Sequence, residues 1–129
     1  MADSIRVLIV DDEERFRDTL AKLLGRHGFT VRTAGGGNEA LALLADAPCD
    51  VIVLDVKMPG LSGQEALPLL RAACPEAEVL VLTGHASVDI ASAMIAGGAA
   101  DYLLKPCPTD ELEGAIRAVY DRRQATKPR

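Results

Sequence analysis

The segment that most constrains the fold is a short aliphatic run that ends in a carboxylate. Residues Val51–Leu54 are all aliphatic, Asp55 follows them directly, and Pro59 with Gly60 then turns the chain. An unbroken run rich in β-branched residues is typical of a strand buried on both faces of a parallel sheet. Because ligands of open parallel sheets bind at the carboxyl ends of the strands, Asp55 is predicted to lie at a functional edge.

Four more segments are predicted to be strands, with helices between them. They are residues 5–10, Thr30–Ala34, residues 78–82 and Asp101–Leu104, and the relatively polar Thr30–Ala34 is expected at an edge of the sheet. Apolar residues at helical spacing follow each strand. Strict alternation of five strands with five helices predicts an α/β domain with a parallel sheet, right-handed crossovers and helices on both faces.

Local signals predict where two of the helices begin. Ser62 is expected to cap the third helix, and Thr109, followed by Asp110 and Glu111, is expected to cap the fifth. Pro68 conflicts with a regular helix interior, so it is expected in an early turn of the third helix.

Composition argues against several classes of protein. The 129 residues suggest one domain, and the net charge of -5 argues against direct nucleic-acid binding by this domain. No apolar run reaches the roughly 18 residues of a membrane span, and residues 1–4 lack the features of a signal peptide. Cys49, Cys74 and Cys107 show no CxxC spacing, so reduced thiols in a cytoplasmic protein are expected.

Polar side chains collect at the carboxyl ends of the predicted strands. Asp11 and Asp12 follow the first strand, Asp55 follows the third, Thr83 follows the fourth and Lys105 follows the fifth. Three carboxylates brought together repel one another unless a cation joins them, and an oxygen-only ligand set favours Mg2+ over zinc. A carboxylate can also attack phosphorus and form an acyl phosphate. These residues therefore predict a metal-dependent phosphoryl-acceptor site.

The same residues and their neighbours resemble the receiver domain of bacterial two-component response regulators. The motifs that carry this resemblance are Asp11-Asp12, Asp55-Val56-Lys57-Met58-Pro59-Gly60, Thr83-Gly84-His85 and Lys105-Pro106. The resemblance covers the chain from Ile5 to Val119. It implies a flavodoxin-like fold with strand order 2-1-3-4-5, in which five helices sandwich the sheet.

The resemblance also implies a role for each residue of the site. Asp55 would be the phosphoacceptor for a phosphohistidine of a sensor histidine kinase or phosphotransfer protein. Mg2+ would be bound by Asp12, Asp55 and the backbone carbonyl of Lys57, with Asp11 acting mostly through a water. Lys105 would pair with the phosphoryl group, and the Lys105–Pro106 bond would be cis. The domain would catalyse only its own phosphorylation and dephosphorylation.

The family further implies a switch. Thr83 would move toward the phosphoryl group and let Tyr102 rotate inward, which would remodel the surface of the fourth helix, fifth strand and fifth helix for an output domain, a protein partner or a second copy of the domain. From the residues alone, the favoured interpretation of Tyr102 is a half-buried strand aromatic whose hydroxyl reaches water. Lys57 and His85 would flank the site and tune the phosphoryl lifetime, or would be exposed loop residues without such a role.

Three alternatives remain open. Gly35-Gly36-Gly37-Asn38-Glu39-Ala40, together with Asp55, fits a dinucleotide-binding pattern, but that pattern leaves Asp11, Thr83 and Lys105 unexplained. A degenerate receiver would act as a binding module that needs no phosphorylation. A phosphohydrolase with an aspartyl-phosphate intermediate is the third alternative, but its best-known families carry a second acid where this chain has Lys57.

The predicted domain boundary lies near the C-terminus. Residues 1–123 are expected to form the receiver domain, and residues 124–129 are expected to be a polar tail, either frayed or the start of a linker.

Overall fold

Five parallel strands form one sheet in the order β2-β1-β3-β4-β5, which confirms the predicted fold. The computed structural model describes residues 4–85 and 87–126. The strands are β1 (Arg6–Val10), β2 (Thr30–Ala34), β3 (Val51–Leu54), β4 (Glu78–Thr83) and β5 (Asp101–Leu104). The helices are α1 (Glu14–Arg26), α2 (Gly37–Asp46), α3 (Gly63–Ala73), α4 (Val88–Ala96) and α5 (Thr109–Thr126).

Alternate residues of the central strands face two separate apolar layers. On one face, Leu8, Ile52 and Val79 pack with residues from α2, α3 and α4. On the other face, Val7 and Leu80 pack with residues from α1 and α5. Because helices cover both faces, β3 is buried along its whole length, as its unbroken aliphatic run predicts. β2 is only partly buried and lies at an edge, also as predicted.

The start of α3 is built closely against the end of β3. Ser62 accepts a hydrogen bond from the Glu65 N–H at 3.2 Å, and the Glu65 carboxylate accepts one from the Ser62 N–H at 3.1 Å. This capping box confirms the predicted cap and lowers the pKa of Glu65, because the backbone N–H of Ser62 stabilises the carboxylate. A side chain at Gly63 would overlap the backbone of Asp55 and Val56, so only glycine fits there.

Two local expectations, for Pro68 and Thr109, need correction. Pro68 lies in the second turn of α3, inside the helix, where it leaves the Gln64 carbonyl without a backbone donor four residues later. Thr109 is the first residue of α5 rather than its cap, although Asp110 and Glu111 do lie in the first turn. α5 continues to Thr126, so residues 124–126 of the expected tail are helical, and residues 127–129 lie outside the described part.

The cysteines agree with the expected reduced thiols. All three cysteines are free thiols, and burial raises the pKa of Cys49 to about 12, so this thiol stays protonated at neutral pH. Within the described residues, no helix is both long enough and apolar enough to cross a membrane.

Candidate functional site

Strand pairing brings the three predicted acids together. β1 and β3 are neighbours with Val10 opposite Leu54, so the residues that follow them lie side by side. The backbone N–H of Asp55 donates to the Val10 carbonyl at 3.0 Å. One carboxylate oxygen from each of Asp11, Asp12 and Asp55 lies within 4.8 Å of the other two. These oxygens could hold a divalent cation, as the sequence predicts.

The acids differ in exposure. Asp11 is 2% exposed and Asp55 is 6% exposed, whereas Asp12 faces solvent. Burial raises the pKa of Asp11, and the nearby Asp55 charge adds to this shift, while hydrogen bonds from Lys105 and from the Glu13 N–H oppose it. Concentrating buried negative charge in this way is unfavourable without a cation, so the donor set fits a metal ion.

Lys105 supplies positive charge to the same cluster. Its Nζ lies 2.7 Å from Asp11 Oδ2 and 3.7 Å from Asp55 Oδ2. Burial lowers the pKa of Lys105, but hydrogen bonds and charge from Asp11, Asp55 and Glu13 outweigh this effect and the net shift is upward. Lys105 is therefore an ammonium at neutral pH. The peptide bond between Lys105 and Pro106 is cis, as the resemblance implies.

Thr83 and Tyr102 are both hydrogen-bonded to the backbone of His85. Thr83 is fully buried, and its Oγ1 accepts a hydrogen bond from the His85 N–H at 3.3 Å. The Tyr102 hydroxyl donates to the His85 carbonyl at 2.6 Å. Burial raises the pKa of Tyr102, and the Asp55 charge adds to the shift. Tyr102 is thus a half-buried strand aromatic, and its hydroxyl is linked to Thr83 through one residue.

Two surface grooves lie beside these residues. A groove of about 480 Å³ is lined by Lys57, Met58, Pro59 and Ile90, among others, next to the end of β3. A second groove, of about 230 Å³, is lined by Ser87, Val88, Ala91, Tyr102 and Leu104, between α4 and β5. Lys57 is exposed two residues after Asp55, and the partly buried His85 contacts Thr83 through its backbone N–H.

The structure adds residues that the sequence reasoning did not assign to the site. Glu13 Oε1 lies 3.2 Å from Lys105 Nζ, and the Phe16 ring centroid lies 4.1 Å from the same atom. Arg17 donates from Nη1 to the Asp11 carbonyl at 3.2 Å. Phe16 belongs to the apolar stripe of α1, so the sequence contains no signal for its contact with Lys105. Glu13 directly follows Asp11-Asp12, and this position could have indicated that it lies at the site.

The geometry is unfavourable for a dinucleotide at the glycine turn. Gly35 and Gly36 connect β2, an edge strand, to α2, which begins at Gly37. The Gly35 N–H donates to the Glu39 carboxylate at 3.2 Å, and the Arg17 guanidinium packs over Gly35. The Glu39 carboxylate therefore already accepts from the Gly35 N–H, which is a donor that a pyrophosphate would need.

Comparisons with known proteins identify the family. The family model described as the response regulator receiver domain matches residues 7–117. Response regulator MprA of Mycobacterium ulcerans is 41% identical over 119 residues, which cover 92% of this chain and 51% of that protein. The chain spans about half the length of the curated relatives that it matches.

Solved structures show the same fold. One is a response regulator protein from Burkholderia pseudomallei with a phosphorylated aspartic acid, a calcium ion and citrate; it is 34% identical with a TM-score of 0.85, over 95% of this chain and 72% of that chain. Another is a CheY-like receiver domain protein from Methanospirillum hungatei, 26% identical with a TM-score of 0.92, over 97% of this chain and 100% of that chain. The chain therefore belongs to the response regulator receiver domain family, the phosphoacceptor domains of two-component signalling.

Proposed function

We propose that this receiver domain accepts a phosphoryl group on Asp55 in a Mg2+-dependent reaction. The observation that carries the proposal is the meeting of three carboxylates within 4.8 Å, with the Lys105 ammonium 3.7 Å from Asp55. The donor is the phosphohistidine of a sensor histidine kinase or phosphotransfer protein. A carboxylate oxygen of Asp55 forms a bond to phosphorus, the P–N bond of the donor breaks, and its electron pair stays on the imidazole.

The acidic cluster is suited to the cation. Asp11, Asp12, Asp55 and the Lys57 carbonyl would hold Mg2+, which neutralises charge on the phosphoryl oxygens when it is bound. All of these donors are oxygens, and no His or Cys joins the cluster within the described residues. A calcium ion in the Burkholderia pseudomallei relative supports a divalent cation.

The other site residues stabilise the phosphoryl group and couple its presence to the surface of the domain. Lys105 contributes a compact positive charge, and the Thr83 hydroxyl can donate to a phosphoryl oxygen. If Thr83 moves toward the phosphoryl group to make that bond, its contact with the His85 N–H lengthens, and the His85 carbonyl that accepts from Tyr102 can shift. This chain of contacts biases the surface formed by α4, β5 and α5, which controls an output domain or protein partner.

We assign the receiver domain to residues 1–123, and residues 124–129, whose first three residues continue α5, to a polar tail or the start of a linker. Because the matched relatives are about twice as long as this chain, an output domain is expected in the natural protein. Val88, Ile95 and Leu104 are exposed apolar residues of α4 and β5, and they suit a protein partner or a phosphorylation-dependent homodimer.

The test is intact mass after incubation with acetyl phosphate, with and without Mg2+. One labile addition of about 80 Da that needs both Mg2+ and Asp55 is expected. Asp55→Asn should abolish the addition, whereas Asp46→Asn, which makes the same change at an exposed residue of α2, should leave it intact. No addition to the parent protein would favour the degenerate receiver, and many phosphates released per protein per minute would favour a phosphohydrolase.

A further inference from the structure

Glu13 lies at the rim of the site and is hydrogen-bonded to Lys105. Glu13 immediately precedes α1, and its side chain is 64% exposed. Lys105 Nζ lies 3.2 Å from Glu13 Oε1 and 2.7 Å from Asp11 Oδ2, but 3.7 Å from Asp55 Oδ2. The ammonium is therefore hydrogen-bonded to two carboxylates of the β1–α1 connection and lies beyond hydrogen-bonding distance of the acceptor.

We propose that Glu13 is a positioning residue that holds the Lys105 ammonium toward solvent, away from Asp55, and thereby slows phosphorylation. This inference rests on the proposed function of Asp55 as phosphoacceptor. Glu13 is largely exposed, whereas Asp55 is only 7% exposed in its side chain, so the two carboxylates attract Nζ in different directions. The Phe16 ring, 4.1 Å from Nζ, supports the position that Glu13 favours.

Phosphorylation changes this competition. The phosphoryl group brings about two negative charges to Asp55, and Lys105 has three donors to distribute. Asp11 already takes one donor at 2.7 Å. A move of Nζ toward Asp55 costs the contact with Glu13, so that contact resists the arrangement needed in the transition state.

The test compares initial rates of phosphorylation by acetyl phosphate in the presence of Mg2+. Glu13→Gln is expected to raise the rate about two- to fivefold, the range that corresponds to loss of a partly exposed ion pair. Glu13 makes no side-chain capping bond to α1, so thermal melting of this variant should stay close to that of the parent. Glu13→Asp keeps the negative charge but places the carboxylate on a shorter side chain, farther from Lys105. It should therefore give part of the same increase in the phosphorylation rate.

Two controls separate contact with Lys105 from a general charge effect. Glu14→Gln removes the same charge one residue later, in the first turn of α1, and should leave the rate within about 1.5-fold of the parent because a screened exposed charge acts weakly. In a Lys105→Gln background, Glu13→Gln should no longer raise the remaining rate, because the group on which it acts is gone.

The possible results distinguish the proposed role of Glu13 from the proposed role of Asp55 as phosphoacceptor. A gain specific to Glu13→Gln that disappears without Lys105 supports the inference. Equal gains in Glu13→Gln and Glu14→Gln, an unchanged rate in Glu13→Gln, or a gain that persists in the Lys105→Gln background would overturn it while leaving Asp55 as acceptor. If the parent acquires no phosphoryl group on Asp55 at all, the proposed function fails and this inference fails with it.

Discussion

Lys57 and His85 lie on the loops that follow β3 and β4. Lys57 is exposed, and His85 contributes its backbone to the contacts of Thr83 and Tyr102 while its side chain is partly buried. Neither side chain belongs to the apolar core. Their proposed role is to limit the approach of the water that hydrolyses the phosphoryl group.

Truncation of either side chain should therefore change the phosphoryl lifetime more than it changes the free energy of unfolding. Lys57→Ala and His85→Ala are each expected to shorten the phosphoryl lifetime by about twofold or more, because water reaches the site more easily. Loss of the mass addition over time measures this rate. The free energy of unfolding should change by about 0.5 kcal/mol or less, as for most surface substitutions. Lys22→Ala, at an exposed lysine of α1, is the control, and equal lifetimes in all four proteins would refute the role.

Lys105 shows what the sequence could predict at the scale of a residue. Its position after an apolar strand predicts a cation at the carboxyl edge, and the structure confirms that placement. Its contacts with Glu13 and Phe16 could not be predicted in the same way, because they depend on how α1 leaves β1. Glu13 is 92 residues away in the chain, so spacing carries no signal for this pair.

At the scale of an element, the start of α3 connects the acceptor to the scaffold. The capping box fixes where the helix begins, and Gly63 lets its first residue approach the backbone that follows Asp55. The Gly63 N–H donates to the Val56 carbonyl at 2.7 Å. The cap therefore helps to hold the loop that carries the proposed Lys57 ligand.

Removal of this cap has a measurable cost. Ser62→Ala is expected to lower the free energy of unfolding by about 1 kcal/mol, because the Glu65 N–H loses its acceptor at the helix start. Urea denaturation followed by circular dichroism measures the change. Ser92→Ala is the matched control, since Ser92 is exposed inside α4 and makes no cap. A stability of Ser62→Ala equal to that of the parent would contradict a structural role for the capping box.

Element boundaries were predictable where local chemistry decides them. Ser62 behaves as its sequence context predicts because the cap and its partner are three residues apart. Pro68 does not lie where its sequence context predicts, because packing of α3 against the sheet outweighs the loss of one backbone hydrogen bond. The polar residues near the C-terminus gave no signal for the last residue of α5, which continues to Thr126, because polar composition alone does not end a helix.

At the scale of the whole molecule, metal binding is linked to the unfolding of the domain. The clustered carboxylates repel one another in the folded state and separate when the chain unfolds. A cation that binds only the folded cluster therefore stabilises the entire domain.

Mg2+ is accordingly expected to raise the melting temperature. At a tenfold excess over its dissociation constant, the gain is about 1.4 kcal/mol, or roughly 3–6 °C for a domain of this size. Differential scanning calorimetry with and without Mg2+ measures the shift, with Na+ at equal ionic strength as the control. Asp12→Asn should reduce the shift strongly, because it removes one of the three carboxylates. An equal shift in both proteins would place the cation elsewhere.

The sequence by itself determined the α/β class, the five strands and the polar residue at the end of each functional strand. These features depend on local hydrophobic pattern and on turn chemistry, which act over a few residues. The resemblance to receiver domains then supplied the strand order, which the topology confirms, and the roles of the site residues, which stay proposals.

Only the tertiary structure decided which partners each polar group takes. Pairing of β1 with β3 sets the spacing of Asp11 and Asp55, and the path of α1 gives Lys105 its contact with Glu13. The linkage of Thr83 to Tyr102 through His85 likewise joins residues of β4 and β5 that are distant in sequence. Contacts between residues distant in sequence depend on packing of the whole core, and no local pattern encodes them.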